Sequence, residues 1–249
     1  MRYEMMFPYQ IRKAIKENWP VIFPIGVLEY HGEHTVLGLD TLVITKALEI
    51  LEKEFDFIIL PTFFYGSASY VVEPPEQNGS IHIDSNVLHL FAQQLFRSLL
   101  RVGFRNIHCL IWHQTENFIA GMPTDLAFKL AARQVLFEYL EAERGEGWWG
   151  DNSMKNYYID HEKGKNPFNW IQIHPLLNIQ EHPEISIDHA GKMETSLMLA
   201  FSEDCVQMDK ISENKWYSET AKHADIEHGN IVKEAILNNV RTLLKENSQ

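Results

Sequence analysis

Short apolar runs alternate with longer segments of helical periodicity along most of this chain. The apolar runs predict buried strands over 21–25, 57–60, 106–112 and 185–188. Apolar residues that recur every three or four positions predict helices over 42–55, 87–102, 125–142, 194–201 and 230–245. Strands that alternate with helices form a parallel or mixed sheet with helices on both faces, so the pattern predicts an α/β fold.

One long segment, 145–183, lacks this regular order. Its tryptophans and tyrosines lie among Gly, Asn and Pro: Trp148, Trp149, Tyr157, Tyr158 and Trp170. Long ordered loops in compact domains usually have a role, so we expect a lid over a site or a contact between subunits. The alternative is a small satellite core beneath a long loop.

Composition limits the classes of function that need to be considered. A chain of 249 residues with 45% apolar content can bury a large core, and we expect a single domain over 1–249 with 145–183 as an insertion. The net charge of −12 argues against nucleic acid and anionic membranes as partners. No signal peptide or membrane-spanning run is found, so we expect a cytoplasmic protein. Cys109 and Cys205 are expected to be buried thiols.

Candidate chemistry begins in the loop that follows the predicted strand 21–25. The loop carries Glu29 and His31, and Asp40 follows shortly after them. Because open α/β sheets bind ligands at the carboxyl ends of their strands, we expect these side chains to lie at a site. Carboxylates and imidazoles bind zinc, manganese or iron, and the two oxygens of a carboxylate such as Asp40 can bridge two ions. The loop therefore predicts a two-metal hydrolytic site.

Two further polar motifs follow predicted strands. His113 and Glu116 come after strand 106–112 and offer the second imidazole and carboxylate that a two-ion site needs. His189 follows strand 185–188 and is a candidate for proton transfer, with Glu194 one helical turn away as its neighbour or as a metal ligand. No nucleophile elbow, Cys–His pair, P-loop or dinucleotide fingerprint is found, so other hydrolytic and NAD chemistries lack support.

Two of these motifs together resemble the signatures of the creatininase-like amidohydrolases, a family of creatinine amidohydrolases, deformylases and peptide hydrolases. The first signature is Gly-x-x-Glu-x-His-Gly-x-His-x-x-x-x-x-Asp, which is matched without a gap by Gly26, Glu29, His31, Gly32, His34 and Asp40. The second is matched by His189-Ala190-Gly191 and Glu194-Thr195-Ser196. The resemblance covers most of the chain, from residue 24 to near residue 229.

The resemblance implies a three-layer α/β/α fold with a mostly parallel central sheet, a centre of two divalent ions (Zn, Mn or Fe) and a homo-oligomer such as a hexamer. In such enzymes Glu29 and His31 would each bind one ion and Asp40 would bridge both. The other ligands would come from the middle and last motifs, with Glu116 and Glu194 as the two candidates for completing the second metal site.

The middle motif departs from the family pattern, because Gln114 stands where a histidine is usual and His113 is one residue early. A local bulge that re-aims His113 would restore the ligand, and we favour this interpretation. The alternative interpretation is that His113 does not reach that position and that one of the two ions has lost a ligand. Ser67–Tyr70 also lacks the family's histidine, so substrate contacts are expected to have changed.

The remaining site residues are assigned by role. His189 would donate a proton to the leaving nitrogen, with Glu194 orienting it if that carboxylate is not a ligand. Ser67 and Asn117 are candidates for hydrogen bonds to the substrate, and Trp148 and Trp170 for contacts from the aromatic segment. His34 is expected to brace its loop or to contact the substrate.

These observations favour a metal-dependent amidohydrolase that cleaves a C–N bond of a small cyclic amide, a formamide or a related amide. Water held between two ions loses a proton near neutral pH, and the hydroxide would attack the carbonyl carbon. The alternative is a catalytically weakened relative that binds metal or a small molecule without efficient turnover. Metal stoichiometry separates the two hypotheses, and creatinine itself is expected to be a poor substrate.

Overall fold

A parallel sheet forms the centre of the molecule. The computed structural model describes residues 1–69, 77–212 and 215–246, and within them the sheet has four strands. In chain order these are β1 (Val21–Ile25), β2 (Ile58–Ile59), β3 (Ile107–Ile111) and β4 (Ile171–Pro175). The spatial order is β2-β1-β3-β4, and every pair is parallel. The carboxyl ends of β1 and β3 therefore lie side by side.

Helices cover both faces of this sheet. In chain order they are α1 (Pro8–Lys16), α2 (Leu39–Leu51), α3 (Ser85–Val102), α4 (Pro123–Arg144), α5 (Tyr157–Glu162), α6 (Lys192–Phe201) and α7 (Ile226–Glu246). Short 3₁₀ turns join many of them. All five predicted helices exist, and they differ from the prediction mainly at their ends.

The alternation of side chains along the strands creates two separate cores. Val21, Phe23 and Ile25 of β1 pack into one core with α1, α3 and α4, and Ile22 packs into the other with α2, α6 and α7. Both cores are needed because the strands are buried on both faces, as in other parallel sheets. The α/β fold with a three-layer arrangement is thereby confirmed.

One predicted strand, 185–188, is wrong. Ile185 packs into the second core, but the chain then turns, because the carboxylate of Asp188 accepts hydrogen bonds from the backbone N–H groups of Met193 and Glu194. These bonds fix the start of α6 in place of an extended strand. The fourth strand is β4, which lies inside the segment predicted to be irregular.

The aromatic segment 145–183 packs against the body of the protein. Trp148 and Phe168 belong to the first core, and the ring of Trp148 lies 6.3 Å from that of Phe137 in α4. Trp149 and Tyr157 pack edge to face with their ring centres 4.6 Å apart. These rings extend the first core and do not form a separate satellite core, and a function of the segment as a lid or subunit contact stays a prediction.

Two smaller expectations concern cysteines and membranes. Cys109 is buried in β3, Cys205 is only half-buried, and both are free thiols. Among the described helices, none is long and apolar enough to cross a membrane.

Close packing of α6 against α7 fixes the position of Glu194. Gly229 in α7 lies so near α6 that a Cβ atom on it would overlap the carbonyl oxygen of Ser196. The hydroxyl of Ser196 also accepts a hydrogen bond from the backbone N–H of Asp225. The two helices can approach this closely because glycine has no side chain.

We expect Gly229→Ala to lower the free energy of unfolding by about 1–3 kcal/mol, since the added methyl group must push the helices apart. Helix propensity alone would favour alanine by about 1 kcal/mol. A decrease in the free energy of unfolding would therefore indicate the steric overlap, and an increase would indicate propensity alone. Urea denaturation measures it. Gly150→Ala is the matched control, because no atom lies within 4 Å of a Cβ built there. Equal stability of both variants would contradict the close packing.

Candidate metal centre

The loop after β1 brings Glu29 and His31 to the edge of the sheet. Two glycines allow its path. Gly26 lies against the first turn of α2, where a Cβ atom would come within 2.6 Å of the backbone nitrogen of Thr41. Gly32 has a positive φ of 75°, a conformation that other residues rarely adopt. Asp40 is the second residue of α2, so it reaches the same place from a helix N-terminus.

His113, and not Gln114, reaches the carboxylates from β3. All five residues of β3 pair in register with β1, so no bulge is involved. Gln114 instead adopts a left-handed conformation with φ of 53°, and its side-chain amide donates a hydrogen bond to Oγ of Ser69. The turn after the strand thus separates the two side chains, and His113 lies among the candidate ligands, as the sequence favoured.

Five buried side chains form two groups that share Asp40: Glu29, Asp40 and His113, and His31, Asp40 and Glu194. Oδ2 of Asp40 lies 3.0 Å from Nδ1 of His113, and Oδ1 lies 3.3 Å from Nε2 of His31. The two oxygens of one carboxylate therefore face different imidazoles. This is the geometry that a bridging carboxylate requires.

Each group is completed by a second carboxylate. Oε2 of Glu29 lies 3.5 Å from Nδ1 of His113, and Oε2 of Glu194 lies 3.7 Å from Nε2 of His31. The other oxygen of Glu29 accepts a hydrogen bond from the backbone N–H of Ser69. These oxygens suit zinc, manganese or iron when combined with imidazole nitrogens.

Backbone carbonyls fix the orientation of both imidazoles. Nδ1 of His31 donates to the carbonyl of Glu29 at 2.9 Å, and Nε2 of His113 donates to the carbonyl of Ser67 at 3.0 Å. A carbonyl can only accept, so the opposite nitrogen of each ring is the one that faces the carboxylates. Metal-binding histidines are usually held in this way.

The ionisable side chains at this centre shift the pKa values of one another. Burial by itself would lower the pKa of His31, but the carboxylates of Asp40 and Glu194 raise it to about 10. Burial would likewise lower the pKa of His113, and Asp40 and Glu29 raise it to about 9. Burial raises the pKa of Glu194 to about 8, which His31 only partly offsets. Buried carboxylates require cations nearby when they are ionised, either protonated imidazoles or metal ions.

His189 lies beside the two groups that share Asp40, and together with Glu29 and His31 it forms a third set of side chains that could hold an ion. Its Nε2 donates to the carbonyl of Tyr30 at 3.0 Å, and its ring packs 4.5 Å from the ring of His31. Burial and the neighbouring charge of His31 lower the pKa of His189 to about 4. Its Nδ1 is consequently the nitrogen that remains for proton transfer.

The ligand groups lie on the wall of a cavity of about 660 Å³. Several residues that the sequence did not single out as site residues also line it: Ser69, Thr115, Leu177, Ile179, Ile187, Met193, Trp216, Tyr217 and Thr220. Most lie in loops before α6 and between α6 and α7, where no periodic pattern or motif marks them. Only the three-dimensional arrangement identifies them as site residues.

Other predicted site residues lie outside the ligand groups. Glu116 lines the cavity, but it is exposed and belongs to neither group. The hydroxyl of Ser67 donates to the carbonyl of Ile83, so it has a structural partner. Asn117 is exposed and is not among the described residues that line the cavity. Nε2 of His34 forms a hydrogen bond with the hydroxyl of Thr195. This contact fixes the loop of His34 to α6.

The structure places both predicted aromatic contacts away from the cavity. Trp148 is held in the first core, and Trp170 packs under the guanidinium of Arg105, 4.7 Å from the ring centre. Neither ring is among the described residues that line the cavity, and the role of both as substrate contacts stays a prediction. Tyr70, which the sequence grouped with Ser67, lies outside the described residues.

Comparisons with known proteins identify the family of this chain. The family model described as Creatininase: Creatinine amidohydrolase matches residues 4–241. A creatinine amidohydrolase of Pseudomonas putida is 25% identical over 197 residues, which cover 77% of this chain and 67% of the relative.

Two solved structures share the fold. A creatininase structure labelled Mn is 20% identical with a TM-score of 0.71, and the match covers 98% of this chain and 97% of that one. A creatininase mutant complexed with creatine is 18% identical with a TM-score of 0.70, covering 99% and 98%. Since the family model spans nearly the whole sequence, this chain belongs to the creatininase family of amidohydrolases.

Proposed function

We propose that this chain is a metal-dependent amidohydrolase that holds two divalent ions and cleaves the C–N bond of a small cyclic amide, a formamide or a related amide. The observation that carries the proposal is the position of Asp40, whose two carboxylate oxygens face His31 and His113 separately. A shared carboxylate between two sets of ligands is typical of two-metal hydrolases.

The ligand assignment follows the two groups. Glu29, Asp40 and His113 would hold one ion, and His31, Asp40 and Glu194 would hold the other. Three protein ligands at each ion leave a position for water or substrate, which is the arrangement of catalytic rather than structural sites. Both groups open onto the cavity, so a substrate can reach them.

When bound, the two ions would activate a water molecule and polarise the amide carbonyl. The protein contributes the proton transfer, which we assign to Nδ1 of His189, because the carbonyl of Tyr30 holds the other nitrogen. The ring contact with His31 keeps this imidazole beside the ligands. His189 can thus pass a proton to the leaving nitrogen as the C–N bond breaks.

The alternative of a catalytically weakened relative depended on the displaced histidine of the middle motif. Because Nδ1 of His113 lies 3.0 Å from Asp40, that argument loses its basis and an active enzyme is the better hypothesis. Creatinine, the substrate that the relatives' names indicate, serves as a probe here. Gln114 and the region of Ser67 differ from the family pattern, so we expect creatinine to be turned over slowly.

Metal analysis tests the centre directly. We expect about two ions of zinc, manganese or iron per chain in the loaded protein. Asp40→Asn should reduce this to fewer than one ion, because both sites lose a ligand, and His113→Ala should leave about one. Inductively coupled plasma mass spectrometry gives the stoichiometry. Hydrolysis of a panel of formamides and cyclic amides, creatinine included, should fall by at least about 100-fold in both variants.

Exposed His223 provides the control, and His223→Ala should retain both ions and full activity. A chelator should abolish the hydrolysis. Zinc, manganese and iron should then be added back separately and compared for their ability to restore it. Retention of two ions by Asp40→Asn would contradict the bridging assignment.

The choice between Glu194 and Glu116 has its own test. Glu194→Gln should lose about one ion and lower kcat/KM by at least about 100-fold, because this carboxylate completes the group of His31. Glu116→Gln should keep both ions and stay within about tenfold of the wild-type activity, as an exposed residue outside the groups. The opposite pattern would assign the ligand to Glu116.

A further inference from the structure

We propose that the outer part of the cavity is an apolar subsite that binds an aromatic ring or a ring-sized apolar group of the substrate, with Trp216 as its wall. This inference rests on the proposed function, because it names the substrate class of the same site. It makes the substrate an amide with a large uncharged substituent rather than a minimal cyclic amide.

The lining of the cavity combines two kinds of side chain. Besides the candidate metal ligands, it includes a set of apolar side chains: Trp112, Leu177, Ile179, Ile187, Met193 and Trp216. No lysine or arginine is found among the described residues that line it. An anionic substituent would find no lysine or arginine to pair with, and His31 and His113 already face the carboxylate of Asp40, whereas an apolar substituent would be removed from water.

Two polar residues of the lining, Asp188 and Thr220, have partners within the protein. The carboxylate of Asp188 accepts from the N–H groups of Met193 and Glu194. The hydroxyl of Thr220 accepts from the N–H of Lys192 at 3.0 Å. These groups are therefore less available to hydrogen-bond a polar substituent.

The size of the cavity also favours a substrate with a large substituent. A volume of about 660 Å³ falls in the range that binds drug-sized ligands, which is more than a small cyclic amide fills. A substrate that left most of this space to water would gain little from the apolar wall. A ring attached to the amide fills the space beside Trp216.

Trp216 is placed for such a contact. Its side chain is 83% exposed, the highest value among the large apolar residues that the structure describes. The neighbouring Tyr217 is buried and packs with Tyr30 and Ala190, so the segment is fixed to the loop that carries the ligands. The rings of Trp216 and Tyr217 meet edge to face at 5.8 Å. An exposed aromatic face held at a cavity mouth is typical of ligand recognition.

The reaction that follows is a hydrolysis with a simple balance. Water adds across the C–N bond of N-benzylformamide, and formate and benzylamine are released. N-methylformamide is the matched substrate without a ring, since it also releases a primary alkylamine. We expect kcat/KM for N-benzylformamide to exceed that for N-methylformamide by at least about tenfold.

Substitution of Trp216 tests the subsite. Trp216→Ala should lower the ratio of the two kcat/KM values by about fivefold to tenfold, mainly through KM for the benzyl compound. Tyr9→Ala is the control, because Tyr9 is also an exposed aromatic residue but lies in α1 and is not among the described residues that line the cavity. The control should leave the ratio unchanged.

A binding measurement separates this inference from the proposed function. Benzylacetone is the ketone that corresponds to N-benzylacetamide with a methylene group in place of the amide nitrogen, so it presents the same benzyl group near a carbonyl and has no C–N bond to hydrolyse. Calorimetric titration of the metal-loaded protein should show binding that Trp216→Ala weakens by about fivefold or more and Tyr9→Ala does not.

Binding of benzylacetone without hydrolysis of any amide would overturn the proposed function and leave the subsite intact. Hydrolysis of N-methylformamide with no preference for the benzyl compound, and no effect of Trp216→Ala on either readout, would overturn the subsite and leave the amidohydrolase intact.

Discussion

A buried carboxylate between two imidazoles is the constraint on which the rest of this structure depends. Asp40 is almost fully buried, and its two oxygens lie 3.3 Å from His31 and 3.0 Å from His113. Burial would raise the pKa of Asp40, but the two imidazoles hold it well below its usual range. A charge in this position is tolerated only because partners surround it, so the elements that supply those partners must stay in register. Adjacent parallel strands provide that register, since Ile25 of β1 pairs with Ile111 of β3.

The surrounding backbone prepares the centre for cations. The carbonyls of Glu29 and Ser67 each accept one imidazole proton and thereby leave the opposite nitrogens facing the carboxylates. The first turn of α6 is fixed by Asp188 and brings Glu194 to the other side of Asp40. Rigid support of this kind reduces the rearrangement needed when a ligand or ion binds. The segment between α6 and α7 carries Trp216 and Tyr217, and Tyr217 packs against Tyr30 in the loop that carries the candidate ligands.

Much of the fold was predictable from the chain itself. The apolar strands 21–25 and 106–112 and the five helices follow from periodicity, because each is buried in a regular way. The prediction failed at the edge of the sheet. In β4 only Ile171 is fully buried, so the strand lacks the continuous apolar pattern of β1 and β3. The apolar residues near Ile185 suggested a strand, but local hydrogen bonds to Asp188 decide the conformation there.

The sequence by itself determined the nature of the centre, because Glu29, His31 and Asp40 lie close together in the chain and follow a strand whose end must face the site. Tertiary structure alone decided three other points. It selected His113 over Gln114, since the left-handed turn at Gln114 directs the two side chains apart. It brought Glu194 rather than Glu116 to His31, and it placed Trp216 on the cavity wall. Each choice depends on distances between residues far apart in the chain, and local spacing carries no information about those distances.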